Sequence, residues 1–427
     1  MKNYQEFINQ LEHLGTSSNV ERKKYLQKIK IVRSLFFEGA KTNTDICDQF
    51  HISSPTSIRL LSQLIEEGLV IKEGQGKSVG GRKPDLYRLK EDSFYVLGIQ
   101  LERSKLRLAI FDNNNRTILK EENIPFQIDA KANSVEELYE QGNRLIEKSK
   151  IDISKLMGIG ISMPGLVSAE EGKNFTYFIS DREPESLQDK LSHKFGKPVY
   201  ILNDAKSACL AEFRFGLAKG KKNVLVISMD WGVGLGIIID GKMHHGASGF
   251  AGEFGHIPLV EDGLLCHCGK RGCLETVASG LALSRKVMEG LEKGESSILS
   301  QLPLKEQEKI EPEKIIAAAN KGDQFAINLL SEIGKNLGKG LAVLIQIFNP
   351  ELIILEGKFS EAKQFITIPI QQSINTYCMA QLREKTQVSL SDLGQDSVLL
   401  GAVAAVMENI FKGQIAIAKN TDKLEIS

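Results

Sequence analysis

Hydrophobic positions fall at helical spacing near the front of this chain: Leu26, Ile29, Val32, Leu35 and Phe36 recur and stop before Gly39. The spacing predicts a first helix. A short second helix is expected over 44–50, capped by Thr42 or Asn43 and followed by a turn through His51, Ile52 and Ser53. A third begins with Ser54 as its cap and Pro55 in the first helical position, and Ile58, Leu61, Leu64 and Ile65 form its apolar stripe up to Gly68. Two helices joined by a three- or four-residue turn make a helix-turn-helix. Two short strands, 69–72 and 86–89, then flank a basic, glycine-rich segment, so that residues 1–90 read as a winged helix-turn-helix of α+β class. The first twenty residues carry no reading beyond a short helix or arm.

From Phe94 the pattern changes. Strands are predicted over 95–101, 106–112 and 117–122, with Asn113-Asn114-Asn115 as a tight turn. A helix over 135–148, strands at 156–161 and 199–202, and a helix over 205–215 follow. A strand pair, 224–228 and 234–240, precedes long helices that fill much of 276–348, and 352–355 is a last strand. This alternation predicts a mixed sheet with helices on its faces.

Composition adds little until it is divided. The 427 residues hold 54 Lys+Arg against 54 Asp+Glu, with 42% hydrophobic and 25% charged residues, which excludes disordered, collagenous and disulfide-rich classes and suits two or three domains. Residues 1–90 contain 15 basic and 10 acidic side chains, and the remainder 39 and 44, so the front is +5 and the rest −5. Placed on a helix-turn-helix, that excess makes double-stranded DNA the expected partner. Thr56, Ser57 and Arg59, in the first turns of the third helix, are expected at base edges, and Arg82 and Lys83 in the wing at a minor groove or its phosphates. The competing reading is a three-helix packing module that mediates dimerisation. The front lacks the apolar core of a signal peptide, and the best apolar runs are broken by Asp230 and by Asn349, Pro350 and Glu351, so a cytoplasmic protein with no membrane partner is expected.

Three of the six cysteines, Cys266, Cys268 and Cys273, fall within eight positions, and Gly255-His256 lies just before them. Three thiolates and the imidazole of His256 complete a tetrahedral Cys₃His zinc site. Four protein ligands leave no open position, so the zinc is expected to be structural. His267 is a competing ligand that ranks below His256, and three free buried cysteines are the bland alternative.

Three strings, Leu202-Asn203-Asp204-Ala205, Ala251-Gly252-Glu253-Phe254-Gly255-His256 and the run from Cys266 to Glu275, give the chain a resemblance to the ROK family of bacterial sugar kinases and sugar-responsive repressors. It extends from about Phe94 to the C-terminus, and the front winged helix matches the repressor branch. The resemblance implies an actin-like (ribonuclease H-like) α/β fold of two lobes closing over a cleft. The first lobe would be 94–213, completed by a C-terminal helix at about 396–427, and the second 214–395 with the zinc loop. It also implies that Asn203, Asp204, Glu253, His256 and Glu275 bind sugar hydroxyls, with the zinc loop holding His256 and Glu275. In the family's kinases the Asp of the Asn-Asp pair is the general base, so Asp204 is the catalytic candidate if any chemistry occurs.

The phosphate-handling positions depart from the kinases. An Asp-x-Gly-Gly-Thr loop is replaced by Gln100-Leu101-Glu102-Arg103-Ser104, the second loop reads Asp230-Trp231-Gly232-Val233-Gly234-Leu235-Gly236 with Trp231 in place of Thr, and the adenosine-site glycines shrink to Glu356-Gly357-Lys358. The expected function is therefore a sugar-responsive transcriptional regulator. It would be a repressor acting as a homodimer or higher homo-oligomer, with a DNA operator and a sugar or sugar-phosphate effector. An active sugar kinase with an appended DNA-binding domain is the alternative, and a regulator controlled by a protein partner is a third reading.

Overall fold

A computed structural model of the chain describes residues 19–75, 84–128, 133–178, 185–302 and 310–420. The chain divides into two compact units, Met1–Leu202 with Ala402–Ser427, and Asn203–Gly401.

The first unit opens with helix α1, Asn19–Glu38, which buries Ile29, Val32, Leu35 and Phe36 as their spacing requires. Gly39, at φ +86°, ends it in the left-handed conformation that glycine adopts without strain. Strand β1, Lys41–Thr42, precedes α2, Asn43–Phe50, whose cap is Thr42 in a reciprocal capping box with Asp45. Helix α3, Ser54–Glu66, starts one residue earlier than the sequence suggests: Ser53 holds the cap position, and its hydroxyl shares a 2.9 Å hydrogen bond with that of Thr56.

The apolar stripe of α3 is also turned from its expected register. Ser57, Leu60, Leu61 and Leu64 are buried, whereas Ile58 is 50% and Ile65 39% exposed. Strands β2, Val70–Gln75, and β3, Asp85–Leu89, pair antiparallel, and β1 adds to the other edge of β3. The wing residues Arg82 and Lys83 lie outside the described residues, as does the segment 1–18.

Strands β4, Tyr95–Leu101, β5, Lys105–Asp112, and β6, Thr117–Pro125, form an antiparallel meander. Helix α4, Asn133–Ser149, leads to β7, Leu156–Met163, which runs parallel to β4 and is buried along its whole length. A small hairpin, β8 (Val167–Ser168) and β9 (Lys173–Asn174), and helix α5, Leu187–Phe195, bring the chain to β10, Val199–Asn203, giving the order β10-β7-β4-β5-β6.

In the second unit α6, Asp204–Phe215, packs on strands β11, Val224–Met229, and β12, Val233–Ile239. On sequence grounds that helix closes the first lobe; its packing groups it with the second unit instead, because its small face, Ala205 and Cys209, fits against glycines of β12. A Cβ on Gly234 would lie 2.4 Å from that of Ala205, and one on Gly236 2.1 Å from that of Cys209. Two glycines of the supposed phosphate loop are thus strand residues that admit a helix. Strand β13, Lys242–Met243, lies at the edge beyond β12.

Helices α7, Glu275–Ala278, α8, Gly280–Glu292, α9, Pro312–Asn320, and α10, Gln324–Phe348, precede β14, Leu352–Glu356, which pairs parallel with β11. After α11, Gln364–Tyr377, and α12, Ala380–Arg383, strand β15, Gln387–Leu390, completes the order β13-β12-β11-β14-β15. Leu283, Ile315, Leu337, Leu341 and Ile370 build the core between these helices and the sheet.

The last helix, α13, Ser397–Asn420, begins in the second unit and from Ala402 belongs to the first. It lies tightly on β7, since a Cβ on Gly160 would be 2.2 Å from the carbonyl oxygen of Ala402. Phe411 meets Phe36 and Phe37 at ring separations of 6.3 and 6.1 Å, so α1 is anchored to this helix by aromatic packing. The stretch Gly394–Ala418 is the one among the described residues that is long and apolar enough to cross a membrane, and 67% of its most apolar window is buried within the protein.

Candidate sugar and zinc site

Strand β10 ends at Asn203, whose side chain accepts the amide of Lys206 and so caps α6. The first helical residue is Asp204, with a carboxylate oxygen 2.8 Å from the amide nitrogen of Ala205. Burial pushes its carboxyl up to about 6, helped by the charges of Glu253 and Glu275, and opposed by the backbone hydrogen bond from Ala205. These carboxylates therefore gather in one place although up to 71 positions separate them.

Glycines bring Glu253 there. Gly252 has φ +102°, and a Cβ on it would come within 2.2 Å of the carbonyl oxygen of Leu235. A Cβ on Gly255 would lie 2.5 Å from that of Val233. The loop can press on β12 only because both lack side chains. Glu253 remains exposed, and what burial it has raises its carboxyl against the opposing pull of His256 and Lys206.

Lys206 is a functional candidate absent from the sequence motifs. It is buried, its ammonium donates to the carbonyl of Gly249, and burial lowers its pKa while Glu253 works against that. One cation thus fastens the loop that carries Glu253. A lysine one turn after an Asn-Asp pair offered no signal of this, because its partner lies 43 positions away.

Glu275 is held from two sides. Its Oε2 accepts the amide of Val233 at 3.3 Å, and its Oε1 lies 3.1 Å from Nδ1 of His267. The place of the lower-ranked ligand His267 is therefore beside Glu275, although its Nδ1 is also 3.8 Å from Sγ of Cys266.

The ligand atoms of His256, Cys266, Cys268 and Cys273 all lie within 4.8 Å of one another. Sγ of Cys268 and Cys273 are 3.6 Å apart, and Sγ of Cys266 is 3.6 Å from Nδ1 of His256. Tetrahedral zinc with bonds of about 2.3 Å to sulfur and about 2.0 Å to nitrogen sets these separations near 3.8 and 3.6 Å, so the quartet has the dimensions of such a site. Nε2 of His256 faces Glu253 at 4.0 Å, leaving Nδ1 for the metal.

The loop is folded by backbone bonds from Cys266 N to Lys270 O and from Leu274 N to Ile257 O, and by Gly272, where a Cβ would fall 1.8 Å from the carbonyl oxygen of Val260. Without a cation, burial raises the thiols of Cys266 and Cys273, the latter to about 12, where the neighbouring Cys266 and Cys268 add to it. Two thiols so reluctant to ionise by themselves, beside Cys268, which ionises more readily, suit a divalent cation that would stabilise all three thiolates.

The loops compared with phosphate sites hold other chemistry. In the first unit Glu102 sits in the tight turn joining β4 and β5, 3.8 Å from Lys105, while Gln100 accepts from Arg107 at 2.9 Å. In the second unit Lys358 lies 2.9 Å from Glu313, 3.6 Å from Asp230 and 5.7 Å from the ring centre of Trp231. Glu356 is buried, held by the hydroxyl of Ser397 at 2.9 Å. Burial, then the charge of Asp230, pushes its carboxyl up to about 8.

On α3, Arg59 is exposed and Thr56 partly so, whereas Ser57 is fully buried and turned inward. Ser57 is therefore removed from the expected DNA-facing set, because its side chain occupies the core side of the helix.

The profile described as "ROK family" matches residues 96–409. The N-acetylglucosamine repressor of Escherichia coli O157:H7 is 29% identical over 395 residues, covering 92% of this chain and 95% of that protein. A crystal structure of a ROK family transcriptional regulator, a homolog of the E. coli MLC protein, superposes with a TM-score of 0.74 at 25% identity, over 94% of this chain and 99% of that one. A ROK family glucokinase from Streptomyces griseus, in complex with glucose and AMPPNP, gives a TM-score of 0.64 at 30% identity over 72% of this chain and 97% of its own.

Proposed function

We propose, from the premise that this chain belongs to the ROK family, that it is a sugar-responsive transcriptional regulator, a repressor of carbohydrate-utilisation genes. Residues 1–90 bind operator DNA through Thr56 and Arg59 on α3 and through Arg82 and Lys83 of the wing. A sugar or sugar phosphate binds in the second unit at Asn203, Asp204, Glu253, His256 and Glu275. Zinc on His256, Cys266, Cys268 and Cys273 fixes the loop that presents His256 and Glu275; bound there, the ion supplies structure and no reactive position.

The observation that carries this reading is an asymmetry of chemistry within the second unit. Carboxylates and an amide that suit sugar hydroxyls are gathered around Asp204, whereas the loops comparable to a nucleotide site hold Asp230 and Glu313 around Lys358. A triphosphate meets repulsion there, and the glycines that would cradle it pack against α6. The match to the N-acetylglucosamine repressor covers 95% of that protein and the match to the transcriptional regulator 99% of it, at 92% and 94% of this chain, so both relatives match more of this chain than the glucokinase does.

Two copies on a two-fold operator make a homodimer the working form. Induction then requires the sugar to bind the DNA-free arrangement more tightly, since equal affinity for both would shift nothing. The test is a gel shift of the full chain on duplexes it selects from a random library, with a panel of sugars and sugar phosphates added. Release of DNA by one of them is expected. The glucokinase likeness supports the second reading, an active kinase using Asp204 as base; turnover of ATP coupled to sugar phosphate would replace the first reading with it. A protein partner becomes the controlling ligand if the zinc-loaded chain binds DNA but no sugar in calorimetry.

A further inference from the structure

The outward face of α3 holds an apolar side chain that neither the core nor the expected DNA contacts use. Ile58 is 50% exposed in the second turn of the helix, between Pro55 and Ser62 on the same face and next to Arg59. The helix satisfies its core without it, through Ser57, Leu60, Leu61 and Leu64. From Ser54 to Ile65 the helix carries no carboxylate, and its exposed residues there are Ser54, Pro55, Ile58, Arg59, Ser62 and Ile65. Asn43 of α2 hydrogen-bonds Ser54 at 2.9 Å, fixing the start of α3 against its partner helix. Ile58 is therefore presented on a braced element, not on a loop.

We propose that Ile58 is a specificity-determining residue that packs on the 5-methyl group of a thymine in the major groove. This rests on the reading of residues 1–90 as a DNA-binding domain. Among the four bases only thymine offers an apolar group in that groove, and an aliphatic side chain reads it by excluding water. Arg59, one position on, supplies the polar contact, to guanine or to a phosphate, beside which an apolar contact is shielded. A branched side chain with restricted χ1 loses little freedom on docking. Burying one methyl group against another is worth about fourfold in affinity at a half-site, and about fifteenfold when a dimer engages two.

The experiment uses the full-length, zinc-loaded chain and a duplex that it selects from a randomised library. Each thymine is replaced in turn by deoxyuridine, which removes only the methyl group, and affinity is measured by fluorescence anisotropy at fixed salt. Wild type should lose affinity at one thymine per half-site. Ile58→Ala should bind the thymine and deoxyuridine duplexes equally, at the wild-type affinity for the deoxyuridine duplex, and Ile58→Val should retain part of the discrimination. Because Ile58 is exposed, both variants should unfold at the wild-type temperature, which separates lost contact from lost fold. If wild type selects a defined sequence but is indifferent to every deoxyuridine, or if Ile58→Ala keeps the same discrimination, the assignment of Ile58 is overturned while DNA reading stands. If wild type selects no sequence at all, the DNA-binding reading fails and this assignment fails with it.

Discussion

Zinc capture should be a proton-releasing reaction, and its stoichiometry can be worked from the thiols. Burial holds Cys266 and Cys273 protonated through neutral pH, Cys273 titrating at about 12, whereas Cys268, despite some burial, is pulled below the ordinary thiol range by a hydrogen bond from the Lys270 backbone and by its neighbours. Metal binding requires all three as thiolates. At neutral pH, Cys266 and Cys273 should each release about one proton and Cys268 a fraction of one, giving between about two and three protons per zinc.

The apparent zinc affinity should accordingly rise by roughly two to three decades per pH unit near pH 7. Titration calorimetry in buffers of different ionisation enthalpy measures the release directly. Cys268→Ser removes the donor with the easiest proton, so release should fall by less than one proton. Affinity should fall by at least about 100-fold, more than loss of an outer-shell partner costs. Zinc content by mass spectrometry should drop below one per chain after dialysis against chelator, and the response to sugar should drop with it. Release near zero in the wild type, or unchanged zinc content in Cys268→Ser, would refute the assignment of these ligands.

Two further outcomes follow from buried groups. Glu356 has a carboxyl raised from 4.5 to about 8 by burial, so the folded state favours its protonated form; the stabilisation is fully present below about pH 4.5 and is lost as pH rises towards 8. Glu356→Gln should therefore leave stability nearly unchanged at pH 5 and raise it by roughly 2–5 kcal/mol at pH 8.5 in urea denaturation, and a variant less stable at pH 8.5 would contradict the raised carboxyl. Ser57 is buried with an unpartnered hydroxyl, so Ser57→Ala should keep operator affinity and gain up to about 1 kcal/mol of stability. Arg59→Ala should weaken the operator complex about tenfold and, if the contact is to phosphate, reduce the salt slope by about one; equal DNA affinity in a gel shift would place α3 away from the groove.

Gly39 ending α1 and Thr42 capping α2 are legible in the sequence because such signals act within one turn of chain. Of the expected α3 stripe, Leu61 and Leu64 are buried but Ile58 and Ile65 are not, because hydrophobicity favours two isoleucines over Ser57 and says nothing of what each face meets. The helix instead buries Leu60 and the small Ser57 beside Leu61 and Leu64, leaving Ile58 and Ile65 outward. Gly234 and Gly236 have the spacing of a phosphate loop, yet their missing side chains leave room for Ala205 and Cys209. Spacing reports that glycine is required but not which neighbour requires it.

The candidate zinc donors His256, Cys266, Cys268 and Cys273 were legible along the chain because they fall within eighteen positions, so that a short loop brings them together, whereas Asp204 and Glu275 are 71 positions apart and meet only through the fold. The sequence by itself also determined the division of charge, +5 in residues 1–90 and −5 beyond, inside a chain that is neutral overall. Only the tertiary structure decided which face of α3 is outward, that α6 packs with the second unit, that Lys206 fastens the loop of Glu253, and that Lys358 meets Asp230 and Glu313. Those pairings join residues 43, 45 and 128 positions apart. They depend on which elements share a core, a property of packing between distant segments that no local pattern contains.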